Sequence, residues 1–177
     1  MSGVNKDIGK VEVRLSWDPS PLGAPDSDLD LIAGTYPADD PHGAPAYLVH
    51  FSRRLAPDGT ITLNRDSKDG KGLGSDEVMT FEPDRLSAEY GRVVVGVAIQ
   101  QGGGRMVFGD VAATGVQVVA GYKELSADDF SAVADCTAAV VGEFVRSEAG
   151  EWAFHPLLRG FDTDPNTFAR TMGGAPS

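Results

Sequence analysis

The feature that most constrains the fold is a strict alternation of apolar and polar residues near the start of the chain. Apolar side chains occupy every second position from Val11 to Trp17, and Glu12, Arg14 and Ser16 lie between them. Successive side chains of a β-strand point to opposite faces, so a period of two is typical of a strand with one buried face. The segment therefore predicts a strand in a layered β-sheet protein.

Several further short strands are predicted, separated by turns rich in Pro, Gly and Asp. Residues 92–99 are almost all aliphatic, which indicates a central strand buried on both faces. The other candidates are residues 29–36, 46–51, 61–63, 78–81, 115–120 and 152–154. So many short strands predict a mostly-β fold, specifically a two-sheet β-sandwich.

One main amphipathic helix is predicted in the C-terminal third, over residues 126–146. Ser126 is a suitable N-cap, and Asp128 and Asp129 would follow in the first helical turn. Apolar residues then recur at helical spacing from Phe130 onward. This helix is expected to pack against the sandwich.

The chain is expected to form one domain over residues 1–177. Its core would span about residues 10–161, and residues 162–177 are weakly patterned and predicted to be a weakly structured tail. A chain of 177 residues is long enough to bury a full core without disulfides.

The charge balance excludes some classes of partner. There are 15 Lys and Arg residues against 26 Asp and Glu residues, a formal net charge of -11. Nucleic acids and anionic membrane surfaces require basic faces, so neither is expected as a partner. The N-terminus lacks the apolar segment of a signal peptide, no run approaches the roughly 20 apolar residues of a transmembrane helix, and there is one cysteine. We therefore expect a cytoplasmic protein with no transmembrane segment.

Residues 66–77 are the densest concentration of acidic and glycine residues. Calcium takes six to eight oxygen ligands, and a short loop supplies them only if its backbone curls around the ion. Gly70, Gly72 and Gly74 permit the positive φ angles that such a curl requires, while Asp66 and Glu77 bring charge at its two ends. The loop therefore predicts a Ca²⁺ site, and an acidic hairpin connection that binds nothing is the alternative.

An EF-hand does not explain this loop. Its first and last positions would be Asp66 and Glu77, but Lys68 would fall on a ligand position and Lys71 on the invariant glycine. No amphipathic helix flanks the loop on either side. The spacing therefore favours a different kind of calcium loop.

A second acidic segment strengthens the metal hypothesis. Asp28 and Asp30 are two positions apart at the start of a predicted strand, so both carboxylates point to one face. If that face meets the 66–77 loop, four or five carboxylates converge, and such a cluster repels itself strongly without a cation. A solvated strand end is the alternative for an isolated Asp-x-Asp.

An ordered set of short motifs resembles the TerD family of tellurium-resistance and stress proteins. The resemblance covers residues 15–161. The segments that carry it are Leu15-Ser16-Trp17-Asp18, Asp28-Leu29-Asp30, the loop 66–77, Phe108-Gly109-Asp110-Val111, Gly142-Glu143-Phe144-Val145-Arg146 and Glu151-Trp152-Ala153-Phe154. It implies a β-sandwich that binds calcium at adjacent sites between Asp-rich loops and that acts in stress responses without an established enzymatic activity.

Transferred residue by residue, the resemblance implies a reduced ligand set. The residues that would hold the metal are Asp28, Asp30, Asp66, Ser67, Gly70, Gly72, Asp76 and Glu77. Three acidic positions of the family are occupied here by Lys71, Leu73 and Ser75. Because calcium affinity follows the charge of the ligands, we expect one site of micromolar or poorer affinity, with a second site lost or weakened.

The expected function is calcium binding in a stress response, without catalysis, with other stress-response proteins as partners. A protein-interaction scaffold with a degenerate metal site is the alternative. A hydrolase that uses the carboxylates with a divalent metal is a third hypothesis, but the sequence offers no base for it. Of the three histidines, His50 lies within an apolar strand and is expected to be structural.

Overall fold

The computed structural model describes residues 9–65, 70 and 75–174, and these form ten β-strands and one α-helix. Three single 3₁₀ turns lie at Pro83–Arg85, Phe108–Asp110 and Ser131–Val133. The strands are β1 (Val11–Ser16), β2 (Leu29–Pro37), β3 (Tyr47–Val49), β4 (Ile61–Arg65), β5 (Glu77–Phe81), β6 (Tyr90–Ile99), β7 (Gly115–Ala120), β8 (Lys123–Asp128), β9 (Ala138–Arg146) and β10 (Trp152–Phe161). The helix, α1, spans Pro165–Thr171.

The strands form two antiparallel sheets of five strands each. The first sheet has the order β4-β5-β1-β7-β8, and the second has the order β10-β9-β6-β2-β3. Antiparallel sheets of this size bury one face against each other and form a sandwich. The prediction of a mostly-β, two-sheet sandwich is confirmed.

The main core lies between the two sheets. Strand β1 contributes Val11, Val13 and Leu15, which are buried, while the residues between them are partly exposed. This is the alternation seen in the sequence. Aromatic side chains from both sheets meet across the core, as in the edge contact of Phe81 with Phe144, whose ring centroids are 5.1 Å apart. Aromatic packing of this kind adds to the free energy gained from apolar burial.

A second, smaller core lies on the outer face of the second sheet. Strand β6 is buried on both faces, as its aliphatic sequence predicts, because α1 covers the outer face. Phe168, Ala169 and Met172 are the buried apolar side chains of this C-terminal segment. They pack against Ile32, Tyr36, Val94, Ala98, Ala138 and Val140.

Arg92 ties the end of the chain to this sheet. Its Nη1 donates hydrogen bonds to the Gly173 carbonyl at 2.6 Å and to the Pro41 carbonyl at 2.8 Å, and its Nε donates to Glu143 Oε1 at 2.6 Å. The Arg92 side chain is buried, and a buried guanidinium is tolerated only when its donors have partners. Glu143 therefore orients the Arg92 side chain, and Arg92 in turn holds the segment that follows α1 through the Gly173 carbonyl.

The predicted helix over residues 126–146 is wrong. Ser126 lies in β8, and the rest of the segment forms a 3₁₀ turn and then β9. The carboxylates of Asp128 and Asp129 accept hydrogen bonds from the backbone nitrogens of Phe130 and Ser131, two positions on. These local turns compete with helix formation, and Phe130 adopts a left-handed conformation with φ 64°.

Strand β9 has the sequence pattern of a helix because both of its faces are buried in its first half. A strand that is buried on both faces shows no alternation, so its apolar residues resemble a helical stripe. The β-branched Val140 and Val141 favour a strand, and Gly142 is unfavourable in the interior of a helix. In this segment the types of residue indicated the secondary structure better than the spacing of the apolar residues did.

The prediction of a weakly structured tail is also wrong for the helix α1. Asp164 caps the helix, because its side chain accepts a hydrogen bond from the Thr167 backbone nitrogen at 3.1 Å, and Pro165 begins the first turn. Hydrogen bonds from the side chain and backbone of Thr167 hold the pKa of Asp164 below its usual value. The Asp-Pro pair was the available sequence signal for a helix start.

Phe168→Ala tests the contribution of the C-terminal helix to stability. The Phe168 side chain is fully buried, so its truncation leaves a cavity and should lower the free energy of unfolding by about 3–5 kcal/mol. Asn166→Ala, at an exposed position of the same helix, should change it by less than about 0.5 kcal/mol. Urea denaturation measures both values, and a weakly structured tail would give equal, small effects.

Candidate metal centre

Three carboxylates meet where β2 and β5 begin. One oxygen each of Asp28, Asp30 and Glu77 lie within 4.8 Å of one another. Asp28 and Asp30 come from the start of the second sheet, and Glu77 is the first residue of β5 in the first sheet. The cluster therefore joins the two sheets at one end of the sandwich.

The short strand β3 makes room for Glu77. β3 pairs only with Ala33, Gly34 and Thr35 of β2, so it does not reach the first residues of that strand. Beside this stretch, Glu77 Oε1 accepts a hydrogen bond from the Leu31 backbone nitrogen at 2.8 Å. A buried N–H requires an acceptor, and here a side chain of the other sheet supplies it.

Two of the three carboxylates are almost inaccessible to solvent. Glu77 is 0% exposed and Asp30 is 3% exposed, while Asp28 is partly buried. Asp30 Oδ2 accepts a hydrogen bond from Gln100 Nε2 at 2.6 Å. Two unit charges 4 Å apart repel by roughly 4 kcal/mol at an effective dielectric of 20, so a cation between three carboxylates in this space would be bound favourably.

Asp76 has a different environment from its neighbour Glu77. It is buried, and its Oδ2 accepts a hydrogen bond from the Trp17 backbone nitrogen at 2.8 Å. Its own backbone nitrogen donates to the Leu15 carbonyl at 2.8 Å. Asp76 therefore holds the end of the 66–77 loop against β1, and it does not belong to the group of three carboxylates found among the described residues.

Trp17 connects three segments around the cluster. Its indole Nε1 donates to the Ser27 carbonyl at 2.8 Å, just before Asp28. Gly70 has φ +76°, and a Cβ at that position would lie 2.6 Å from Trp17 Nε1. A glycine is therefore required at position 70, both for its backbone angle and for its close approach to the indole ring.

Several predicted site residues lie outside the described residues. Asp66, Ser67 and Gly72 belong to this group, so the structure gives no position for them. Asp28, Asp30, Gly70, Asp76 and Glu77 are described, and the structure gathers the first two around Glu77. Their role as metal ligands stays a prediction.

Gln100 and Trp17 also form hydrogen bonds beside the carboxylate cluster, and the sequence did not predict these contacts. Gln100 follows β6, and its backbone nitrogen bonds to the Asp28 carbonyl at 2.9 Å. Strand pairing places it there, because Leu29 lies opposite Ile99. Recognising it requires the register of two strands about 70 residues apart in the chain, which no local pattern shows.

The donor set of the cluster is composed of oxygen. Hard divalent cations such as Ca²⁺ prefer carboxylate and carbonyl oxygens, whereas zinc and copper sites favour His and Cys. Among residues 9–65, 70 and 75–174, this is the one group of three His, Cys, Asp or Glu residues that is compact enough to hold a metal. Its chemistry therefore suits a hard cation.

Comparison with known proteins identifies the family of the chain. A family model described as TerD domain matches residues 1–171, so the chain belongs to the TerD family. The tellurium resistance protein TerD of Serratia marcescens is 25% identical over 165 residues, which cover 91% of this chain and 85% of that protein. The general stress protein 16U of Bacillus subtilis (strain 168) is 27% identical over 169 residues, with 91% and 86% covered.

Two solved structures share the fold closely. One is described as a homologue of the telluride resistance protein TerD from Streptomyces coelicolor A3(2), with 54% identity and a TM-score of 0.93. The other is a crystal structure of a protein of unknown function, with 57% identity and the same TM-score. Each alignment covers 96% of this chain and 99% of the other. Within the part of the chain that the structure describes, no helix has the length and apolar character needed to cross a membrane.

Two substitutions of Glu77 distinguish the effect of its charge on stability from the effect of its hydrogen bond to the Leu31 backbone nitrogen. Glu77→Gln keeps an acceptor for the Leu31 N–H and removes one repelling charge, so in the presence of a chelator it should be at least as stable as the wild type. Glu77→Ala leaves that buried N–H without an acceptor and should lower the free energy of unfolding by about 1–3 kcal/mol. Urea denaturation at pH 7 with EDTA measures both.

The matched control is Glu148→Gln, which removes an exposed carboxylate from a turn and should have little effect. A Glu77→Gln variant that is clearly less stable than the wild type in chelator would contradict the view that repulsion dominates within the cluster.

Proposed function

We propose that this protein is a cytoplasmic stress-response protein that acts by binding Ca²⁺ and not by catalysis. The observation that carries the proposal is the convergence of Asp28, Asp30 and Glu77 from two sheets in a buried position. The names of the relatives, a tellurium resistance protein and a general stress protein, support the stress-response role.

The spacing of the carboxylates fits calcium. Oxygen ligands bind Ca²⁺ at about 2.3–2.6 Å, so two ligands of one ion are at most about 4.6–5.2 Å apart. The oxygens of the three carboxylates lie within 4.8 Å of one another, which satisfies this limit. Asp66, Ser67, Gly70, Gly72 and Asp76 are the residues from which the sequence predicts further oxygens.

The burial of the cluster supports binding over catalysis. Glu77 and Asp30 are 0% and 3% exposed, so an organic substrate would not reach them. A small cation bound among the three carboxylates would neutralise their charges. When bound, Ca²⁺ supplies positive charge that offsets the repulsion between the carboxylates.

Trp17 is positioned to couple cation binding to the surrounding surface. It contacts the Ser27 carbonyl, Gly70 and the Asp76 carboxylate, which lie on both sides of the cluster. A change in the position of the loop would therefore alter contacts of the indole ring. We propose that calcium orders the loop and presents a surface to a partner protein of the stress response.

The second candidate is a protein-interaction scaffold with a degenerate metal site. Lys71, Leu73 and Ser75 replace acidic residues of the family pattern, and this favours weak or absent binding. An Asp28→Asn and Asp30→Asn double variant, which leaves the contact of Asp76 with Trp17 in place, distinguishes the candidates, because a scaffold would retain its partner binding irrespective of calcium.

Calcium titration followed by tryptophan fluorescence tests the proposed function. The other tryptophan, Trp152, packs against Phe81 at the far end of β5, so Trp152→Phe leaves Trp17 as the reporter. We expect a saturable change in Trp17 emission and, at a calcium concentration of 100 times Kd, a stabilisation of about 2.7 kcal/mol.

Asp30→Asn is the matched variant for this titration. It retains an acceptor for Gln100 Nε2 but removes one charge, so the calcium affinity should fall by about tenfold or more. Asp84→Asn, at an exposed position in the 3₁₀ turn Pro83–Arg85, should leave it unchanged. The absence of any emission change, heat or thermal shift at millimolar calcium would exclude the proposal.

A further inference from the structure

A cavity of about 550 Å³ lies beside the edge strand β3. Its lining includes Pro45, Leu48, His50, Ser52, Arg53 and Arg170. We call it the β3 pocket. It borders the strand that pairs with the second half of β2, whereas the acidic cluster lies at the start of β2, so the two sites are distinct.

The alternation of β3 determines which side chains reach the pocket. Val49 is buried in the core between the sheets, and Tyr47 packs against that core. Leu48 packs against the second core on the opposite face, where α1 lies. His50, two positions after Leu48, follows on the same face, and Arg170 comes from the last turn of α1.

A tight turn brings Arg53 back beside His50. The backbone nitrogen of each residue donates to the carbonyl of the other, at 3.0 Å and 2.9 Å. His50 Nδ1 accepts a hydrogen bond from the Ser52 backbone nitrogen at 3.3 Å and lies 3.0 Å from Ser52 Oγ. A neutral imidazole that accepts at Nδ1 carries its proton on Nε2, so the ring retains a donor.

The pocket is basic in a strongly acidic protein. Two arginines and one histidine line it, together with the hydroxyl-bearing residues Tyr47 and Ser52, and no acidic residue is part of this lining. Four described arginines pair with carboxylates, in Arg14–Glu12, Arg85–Glu82, Arg92–Glu143 and Arg105–Asp162, while Arg54, Arg146 and Arg159 donate to backbone carbonyls. Within the described residues, Arg53 and Arg170 make no ion pair, and Arg170 contacts only the Thr167 hydroxyl, at 3.4 Å.

We propose that the β3 pocket binds a small organic phosphate. Guanidinium groups present planar, paired donors that match phosphate oxygens, and two of them with an imidazole donor suit a dianion better than a single carboxylate. The volume exceeds that of a phosphate group and falls within the range of small-molecule sites. Pro45 and Leu48 supply apolar surface for the organic part.

The overall charge limits the size of the anion. A polyanion such as RNA would contact many acidic residues of a chain with a net charge of -11. A small ligand with one phosphate group interacts mainly with the local positive field of the pocket. The ligand class is therefore a phosphomonoester with a compact apolar body.

His50 provides the signal for the test. Burial, and then the positive charge of Arg53, lower the pKa of His50 below its ordinary value. A bound phosphate would oppose the effect of Arg53, so the His50 pKa should rise on binding, while Arg53 and Arg170 remain charged. The rise of the His50 pKa is measured at a pH where the ligand is a dianion, because a phosphomonoester takes up its own proton at about pH 6.

Histidine-ring NMR of the full chain, titrated with phenyl phosphate at constant ionic strength, tests this inference. The signals of His50 should shift saturably, while those of His42 and His155 should not. Inorganic phosphate and benzoate should each bind at least several-fold more weakly, because the first lacks the apolar body and the second lacks the dianionic group.

The Arg53→Gln and Arg170→Gln double variant should weaken phenyl phosphate binding at least tenfold. Both residues are exposed, so the fold should be retained, and circular dichroism checks this. Arg85→Gln with Arg105→Gln, which removes two exposed arginines elsewhere, should bind as the wild type does. Equal shifts of all three histidines, unchanged binding by the double variant, or benzoate binding as tight as that of phenyl phosphate would overturn the proposal.

Discussion

The hydrogen bond from the Leu31 amide to the Glu77 carboxylate is the contact around which the candidate metal centre is built. It joins the two sheets where β3 is too short to cover β2, and it draws a negative charge into a position without solvent exposure. Asp28 and Asp30 then follow from the register of β2, because alternate residues share a face. The fold itself therefore brings three carboxyl groups together at one end of the sandwich.

The spacing of apolar residues predicted the strands that have one exposed face. A continuous run of β-branched residues predicted the strand that is buried on both faces. The alternation in β1 and the aliphatic run of β6 both gave strands that the structure contains. The pattern failed at β9, because burial on both faces removes the period of two that distinguishes a strand from a helix. It failed again at α1, where seven residues are too few to show a helical period.

The candidate site was predictable only in part. Asp28, Asp30 and Glu77 were recognisable as acidic residues in loop and strand-end positions, and the preference of calcium for carboxylate oxygens predicted that they gather around a cation. The contribution of Gln100 and the contacts of Trp17 depend on strand register and on packing between distant segments. Such information is contained in the tertiary structure and not in any short stretch of sequence.

The C-terminal helix determines how proteolytic cleavage affects the solubility of the molecule. It covers an outer sheet face that includes Tyr36, Val94 and Val140, and Arg92 fastens it through the Gly173 carbonyl. Proteolytic cleavage in the connection between β10 and α1 would release this cover and leave a broad apolar sheet surface in water. Exposed surfaces of that kind associate readily, so a nicked molecule would tend to aggregate while its sandwich core stayed folded.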